Sequence, residues 1–411
     1  MLTTKELTLP PLFTERNFLT VTNFKERPKA NIFLGSDVEG PFYLGDAITE
    51  AMAALLKPKN DVIEATPSYG QIIYESGWEW LHTDTSGKRR GIVFDGRSRS
   101  SYSLSQEGTD TVFAIPLLLA EGGDYAYVRK LTHASKSTPG SESLVRTLEG
   151  QGVFIVGITT APQEPYRSLV KERGFLDPTH IVGTPFPIDE TRDLLEATGR
   201  WDTEISTVRE YLRDCYRVID EESEISSGRN GLMRKLSTKG RQRLLDQVEK
   251  FYRGDLGISY DPQTRRTRSG QISMLGQIVE AIGVVGDRGK AAVAFSAYRR
   301  IGNPTTTFVT MGDGANDAVM LQKAPISIGL NGADAATAAK IGVVTNTMIN
   351  VLPIFEQVLN GQTDIDAIVK NAQAEVGDSA LIHKGGQNIE PAILEEHKKM
   401  KRRLRGQNIT Y

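Results

Sequence analysis

The chain has 411 residues, 39 % of them hydrophobic, with 49 basic against 51 acidic side chains. That composition excludes wholesale disorder and fibrous classes, and a net charge of −2 offers no global field to recruit nucleic acid or an anionic membrane. A single cysteine, Cys215, excludes an internal disulfide framework and a Cys-rich zinc site, so a reducing, cytoplasmic setting is expected. Taken in chain order, Met1–Phe18 mixes charge, proline and polar groups and holds no apolar signal core. The first strand reads Asn31–Ser36 and runs into Asp37-Val38-Glu39-Gly40-Pro41. A helix capped near Asp46 spans about Ala47–Lys57 and stops before Pro58. Residues 107–135 read as helical or core-facing. Their longest apolar run, Val112–Ala120, contains a proline and falls far short of the roughly 20 residues that span a bilayer.

A helix over Glu142–Glu149 leads into a second strong strand, 153–158, ending at Thr159-Thr160. A helix Glu164–Arg173 and a short extended stretch, His180–Thr184, follow. Residues 189–280 are charged, helix-favouring and poor in strand signals. Beyond them come a helix (Lys290–Arg300), a strand (Thr306–Met311), a Gly-rich loop and a helix (Ala318–Lys323). A strand (Ile326–Leu330), an Ala-rich helix (Ala333–Ile341) and a strand (Val343–Thr345) complete the pattern. Strands alternating with helices at this spacing predict a Rossmann-like α/β fold with a parallel sheet and right-handed crossovers. The two long stretches between strand units read as insertions. The tail, 350–411, reads as helical and polar, with a basic cluster at Lys398–Arg405 taken as a solvated helix end.

Two acidic loops carry the chemistry. Asp37-Val38-Glu39 follows one apolar strand, and Gly312-Asp313-Gly314-Ala315-Asn316-Asp317 follows another. In a parallel sheet, loops at the carboxyl ends of strands open into one crevice. Asp37, Asp313 and Asp317 would then converge, and three converging anions need a cation. Hard oxygen ligands without His or Cys point to Mg²⁺. Thr159, at a strand end, and Lys290, opening a helix, could hold an oxyanion; each alone reads as an ordinary turn or surface residue. A Walker loop ending in Gly289-Lys290 fails, because Val284 occupies its first glycine position and Ala291 replaces Ser/Thr.

The order Asp37-x-Glu39-Gly40, Thr159, Lys290, Gly-Asp313-Gly-x-Asn316-Asp317 resembles the four motifs of the haloacid dehalogenase (HAD) superfamily, framing residues 32–330. Its fourth motif, GDGANDAVML, is similar to that of HAD phosphatases and of P-type ATPases; the ATPase reading fails for want of D-K-T-G-T and of a membrane helix. The resemblance implies a HAD core of residues 1–41, 146–187 and 281–350. It implies mainly helical cap insertions at 42–145 and 188–280, with a helical C-terminal extension at 351–411. It further implies that Asp37 is the nucleophile and Glu39 the general acid/base. Thr159, Thr160, Lys290 and Asn316 would serve the phosphoryl group. Asp37, the backbone carbonyl of Glu39 and Asp313 would hold Mg²⁺, with Asp317 supporting that shell.

Glu39 stands where the family's phosphatases usually carry Asp, a change of one methylene in a geometry that tolerates roughly 0.5 Å. Enolase-phosphatases resemble the chain in having D-x-E-G there, and D-x-E-G-P is similar to a little-characterised, mainly archaeal HAD group. In the first insertion, Arg89, Arg90, Arg97 and Arg99 could grip an anionic substrate but read first as a solvated loop, and Trp78 and Trp80 could line a pocket but read first as core or strand packing. The leading expectation is a Mg²⁺-dependent phosphohydrolase of a small phosphorylated metabolite, with no nucleic-acid or membrane partner and homo-oligomerisation left open. A phosphotransferase or mutase, and a non-catalytic companion that binds a phosphometabolite, are the alternatives.

Overall fold

The computed structural model describes residues 30–59, 64–82, 104, 106–228, 231–258 and 272–405; Arg89, Arg90, Arg97 and Arg99 lie outside them. Its strands are β1 (Ile32–Asp37), β2 (Ala65–Thr66), β3 (Val153–Pro162), β4 (Ile181–Thr184), β5 (Ser223–Gly228), β6 (Gly231–Leu236), β7 (Thr307–Gly312), β8 (Ile326–Leu330), β9 (Ile341–Thr345) and β10 (Ala380–Lys384). β1, β4, β8 and β9 are buried at every residue, and β3 and β7 at all but one. Such strands need cover on both faces, which is the condition for a parallel sheet. They form a seven-stranded sheet in the order β10-β9-β8-β7-β1-β3-β4, parallel throughout except for β10. The fold is therefore the Rossmann-like α/β class expected from the alternation of elements.

The chain winds from β1 outward through β3 and β4, then returns to β7 and winds the other way through β8 and β9. The switch falls at β1, where a crevice opens at the carboxyl ends of the strands. Register sets the level of the acidic loops. Ser36 pairs with Met311 and Asp37 with Ile158, so Asp37, Thr159 and Asp313 emerge together.

Two expectations need correction. The tail is not wholly helical: Ala380–Lys384 adds an antiparallel edge strand to β9. Only one of its five side chains is fully buried, so it lacks the apolar run that marks the inner strands. The second insertion is not wholly helical either. β5 and β6 form a hairpin inside it, and β2 of the first insertion pairs parallel with β6. Most hairpin side chains are exposed, which leaves no alternating apolar pattern to read.

Between the insertions lies a single core. Ile48, Ile73, Trp80 and Phe113 from the first pack with Val208, Leu212, Phe251 and Tyr252 from the second. The Phe113 and Tyr252 rings stack at 4.2 Å, and the Tyr252 hydroxyl donates to the Phe113 carbonyl at 2.8 Å. Trp80 Nε1 donates to Glu249 across the same seam at 2.8 Å. The two segments thus make one body over the sheet. The sheet unit resumes at the helix Ser141–Gly150, whose Leu144, Val145 and Leu148 join the core beneath β1 and β3.

The last helix, Pro391–Arg405, packs against β9 and the helix Ala333–Ala338. Its only fully buried side chain is His397, whose Nε2 lies 2.8 Å from Nε2 of His383 on β10.

Candidate active site

Lys290 is the hub. It lies in the first turn of the helix Asp287–Ile301 and is completely buried. Its ammonium is 2.7 Å from Asp37 Oδ1 and 2.8 Å from Asp317 Oδ1. Burial opposes a charge on Lys290, but Asp317 and Asp37 together hold its pKa above the ordinary value. Asp37 is buried at the end of β1, and Val38 N–H donates to its Oδ1 at 2.7 Å. Burial first, then the nearby Asp317 charge, pushes its pKa well up, against the pull of Lys290.

The loop after β7 is wound around Asp317. Its Oδ2 accepts from the N–H groups of Asp313 and Gly314, both at 2.9 Å. A side chain at Gly312 would meet Asp317 Cγ at 2.4 Å, so only glycine admits this tight loop. At Gly40, φ is +100°, and a Cβ would meet Asp313 Cγ at 2.4 Å.

Carboxylate oxygens of Asp37, Asp313 and Asp317 lie within 4.8 Å of one another. Hard oxygen donors of this kind suit Mg²⁺. Asp317 has Oδ1 on Lys290 and Oδ2 on two backbone donors, so it braces the group from behind. Asp37 and Asp313 are the better placed to hold a cation. The carboxyl of Glu39 is outside this trio. It accepts from Tyr166 Oη at 2.8 Å and lies 3.4 Å from Thr159 Oγ1. Burial and the neighbouring Asp46 raise the Glu39 pKa to about 7, while Tyr166, Arg405 and Lys290 oppose the rise.

A cavity of about 720 Å³ opens over these groups, lined among others by Asp37, Glu39, Thr160, Asn316 and Trp78. Of the paired threonines, Thr160 faces it, with its Oγ1 accepting from Asn316 Nδ2 at 2.9 Å. Thr159 lies fully buried behind, accepting from Ala161 N–H at 2.9 Å. Trp78 reaches the cavity from the helix Tyr69–His82, whereas Trp80 is core.

No family model matches the sequence, and no curated protein matches it. Among solved structures, gene product AF1437 from Archaeoglobus fulgidus is similar. It is 18 % identical, with a TM-score of 0.62, over 92 % of this chain and 97 % of that one. At that identity the likeness speaks for the α/β fold and for nothing finer.

Sequence reasoning missed two features. Tyr166, on the helix Gln163–Arg173, is fully buried and holds Glu39. The basic cluster of the last helix is not a solvated end at its inner turns. Arg405 Nη2 lies 2.9 Å from Asp313 Oδ2, and Lys401 Nζ lies 3.0 Å from the Asp313 carbonyl and 3.3 Å from its Oδ2. The readable signal was the spacing of Lys398, Lys401, Arg402 and Arg405, which places all four on one helix face. All four line the cavity.

Among the described residues no helix is long and apolar enough to cross a membrane.

Proposed function

We propose that the chain is a Mg²⁺-dependent phosphohydrolase of the HAD type, acting on a small phosphomonoester through an aspartyl-phosphate on Asp37. The observation that carries the reading is Lys290, wholly buried and bridging Asp37 and Asp317 beside Asp313. A lysine buried at such desolvation cost, among carboxylates at a sheet's topological switch, suits phosphoryl transfer, where positioning and charge stabilisation supply most of the catalysis.

In the first step, a carboxylate oxygen of Asp37 attacks phosphorus, and the bond from phosphorus to the alcohol oxygen breaks. Glu39 gives its proton to the departing alkoxide; a carboxyl raised to about 7 by burial still carries that proton near neutrality. In the second step Glu39 takes a proton from water, which attacks phosphorus and releases phosphate and free Asp37. Lys290 holds Asp37 in position and offsets charge on the phosphoryl oxygens. Thr160 and Asn316 are placed to orient those oxygens from the cavity wall. Mg²⁺, held by Asp37 and Asp313, would supply further neutralisation of the phosphoryl charge.

The test is phosphate release from a panel of phosphorylated metabolites with Mg²⁺, beside Asp37→Asn. Metal-dependent turnover that the variant abolishes supports the hydrolase. Turnover that survives in Asp37→Asn refutes the covalent route. Transfer to an added alcohol in place of water would favour the phosphotransferase alternative.

A further inference from the structure

Arg405 and Lys401 lie outside every role assigned so far, yet they reach the centre of the site. Exposure along their helix face falls from 57 % at Lys398 and 51 % at Arg402 to 24 % at Lys401 and 10 % at Arg405. The outer pair is occupied by Glu395, while the inner pair is spent on Asp313. Arg405 also feels Glu39, Asp37 and Asp46, so its guanidinium stands over the whole acidic group. Its Nη2 would lie 2.5 Å from a Cβ at Gly40, which seats it directly on the first acidic loop.

The charges give this placement a meaning. Among the described residues, Asp37, Glu39, Asp313 and Asp317 face three buried or half-buried cations, Lys290, Lys401 and Arg405. Without the two cations of the last helix, Lys290 would stand alone against four carboxyls. A divalent cation on Asp313 would make those two cations surplus there. A phosphoryl dianion arriving above Asp37 would then be the nearest group able to use them. Arginine suits this exchange, because its planar fork fits carboxylate and phosphate alike.

We infer that Arg405 and Lys401 form a phosphate-binding subsite carried by the last helix, whose present occupant is the Asp313 carboxylate. Metal on Asp313 and phosphate on Arg405 are then mutually supportive. The inference rests on the proposed phosphoryl chemistry at the same site, but its test reads binding, not turnover.

The full chain and its Arg405→Gln variant are titrated by calorimetry with Mg²⁺ alone, then with orthophosphate at saturating Mg²⁺. Removing the guanidinium frees Asp313 from a competing cation, so Mg²⁺ should bind the variant several-fold more tightly. Orthophosphate should bind it at least about tenfold more weakly, the loss expected for one charge-assisted contact. Arg405→Lys should restore part of the phosphate affinity. If Arg405→Gln does not fold, Lys401→Gln carries the same pair of expectations. Unchanged affinities, a fall in both, or no orthophosphate binding by the native chain would overturn the inference. Opposite shifts of the two affinities with no turnover of any phosphomonoester would keep the subsite and remove the hydrolase. Turnover dependent on Asp37, with both affinities unmoved in Arg405→Gln, would do the reverse.

Discussion

Acid should release the last helix, and His397 sets how readily. His383 Nδ1 lies 2.8 Å from the Lys384 carbonyl, an acceptor, so that nitrogen carries the proton. His383 Nε2 is then a bare lone pair, and His397 Nε2–H donates to it at 2.8 Å. His397 Nδ1 is left buried, without a partner. A proton added there would be a donor with nothing to bond. A proton added to His383 Nε2 would face the His397 N–H. Both rings are therefore held neutral: burial lowers both pKa values, that of His397 from 6.5 to about 3 with the help of His383. A histidine depressed in the docked state binds protons preferentially once released. Docking is thus strongest above pH 6.5 and weakens as pH falls toward 3. At pH 5 the cost from His397 alone is about 2 kcal/mol, or roughly a 30-fold rise in the opening equilibrium. Hydrogen exchange of segment 391–405, corrected for intrinsic rate, should show that rise between pH 7.5 and 5.0. In His397→Leu the slope should flatten. Several partly buried carboxyls elsewhere, among them Glu75 and Asp110, are raised and respond with the opposite sign, but they cancel in the comparison of the two proteins. Equal pH slopes for native chain and variant would refute the reasoning.

Further expectations follow from the site. Lys290→Ala leaves buried carboxylates without their cation and should cost about 3–5 kcal/mol in metal-free urea denaturation; a loss under about 1 kcal/mol would mean that the hub is dispensable. Tyr166→Phe removes the hydrogen bond that favours ionised Glu39, so the Glu39 pKa should rise above about 7. If Glu39 is the acid, the alkaline limb of the rate profile should move to higher pH, and an unmoved limb would count against that role. Thr160→Val should raise KM for a phosphomonoester, while Thr159→Val should alter stability more than KM, as steady-state kinetics beside thermal melts would show. Gly40→Ala should destabilise the fold by about 1 kcal/mol or more, since it forces a left-handed backbone on a side chain that also meets Asp313.

The inner strands of the sheet were legible because they are buried on both faces and read as mainly apolar runs, which the edge strand Ala380–Lys384 does not. The four-motif spacing located Asp37, Lys290, Asp313 and Asp317, and the fold brings them together. Periodicity was mute elsewhere, for physical reasons. An exposed hairpin such as Ser223–Leu236 has no face to pattern. A helix pattern shows that a face is buried but not against what, so the union of the two insertions was invisible. Charges at three- and four-residue spacing look alike whether they meet water or a distant carboxylate, which hid Arg405 and Lys401. Tyr166 was silent because one hydroxyl on a buried ring leaves no signature.

The shared core of the two insertions governs the order in which the chain can fold. Helices between Ala47 and Ala134 present apolar faces whose partners lie between Ile188 and Ile282, with β3 and β4 intervening. Contacts of such sequence separation close large loops late and slow the search. On a ribosome, the first half of this body must wait, with Phe113 and Trp80 uncovered, until Tyr252 has emerged. Neither half should be obtainable as a stable fragment, and nascent chains halted before residue 250 should be the ones that chaperones hold.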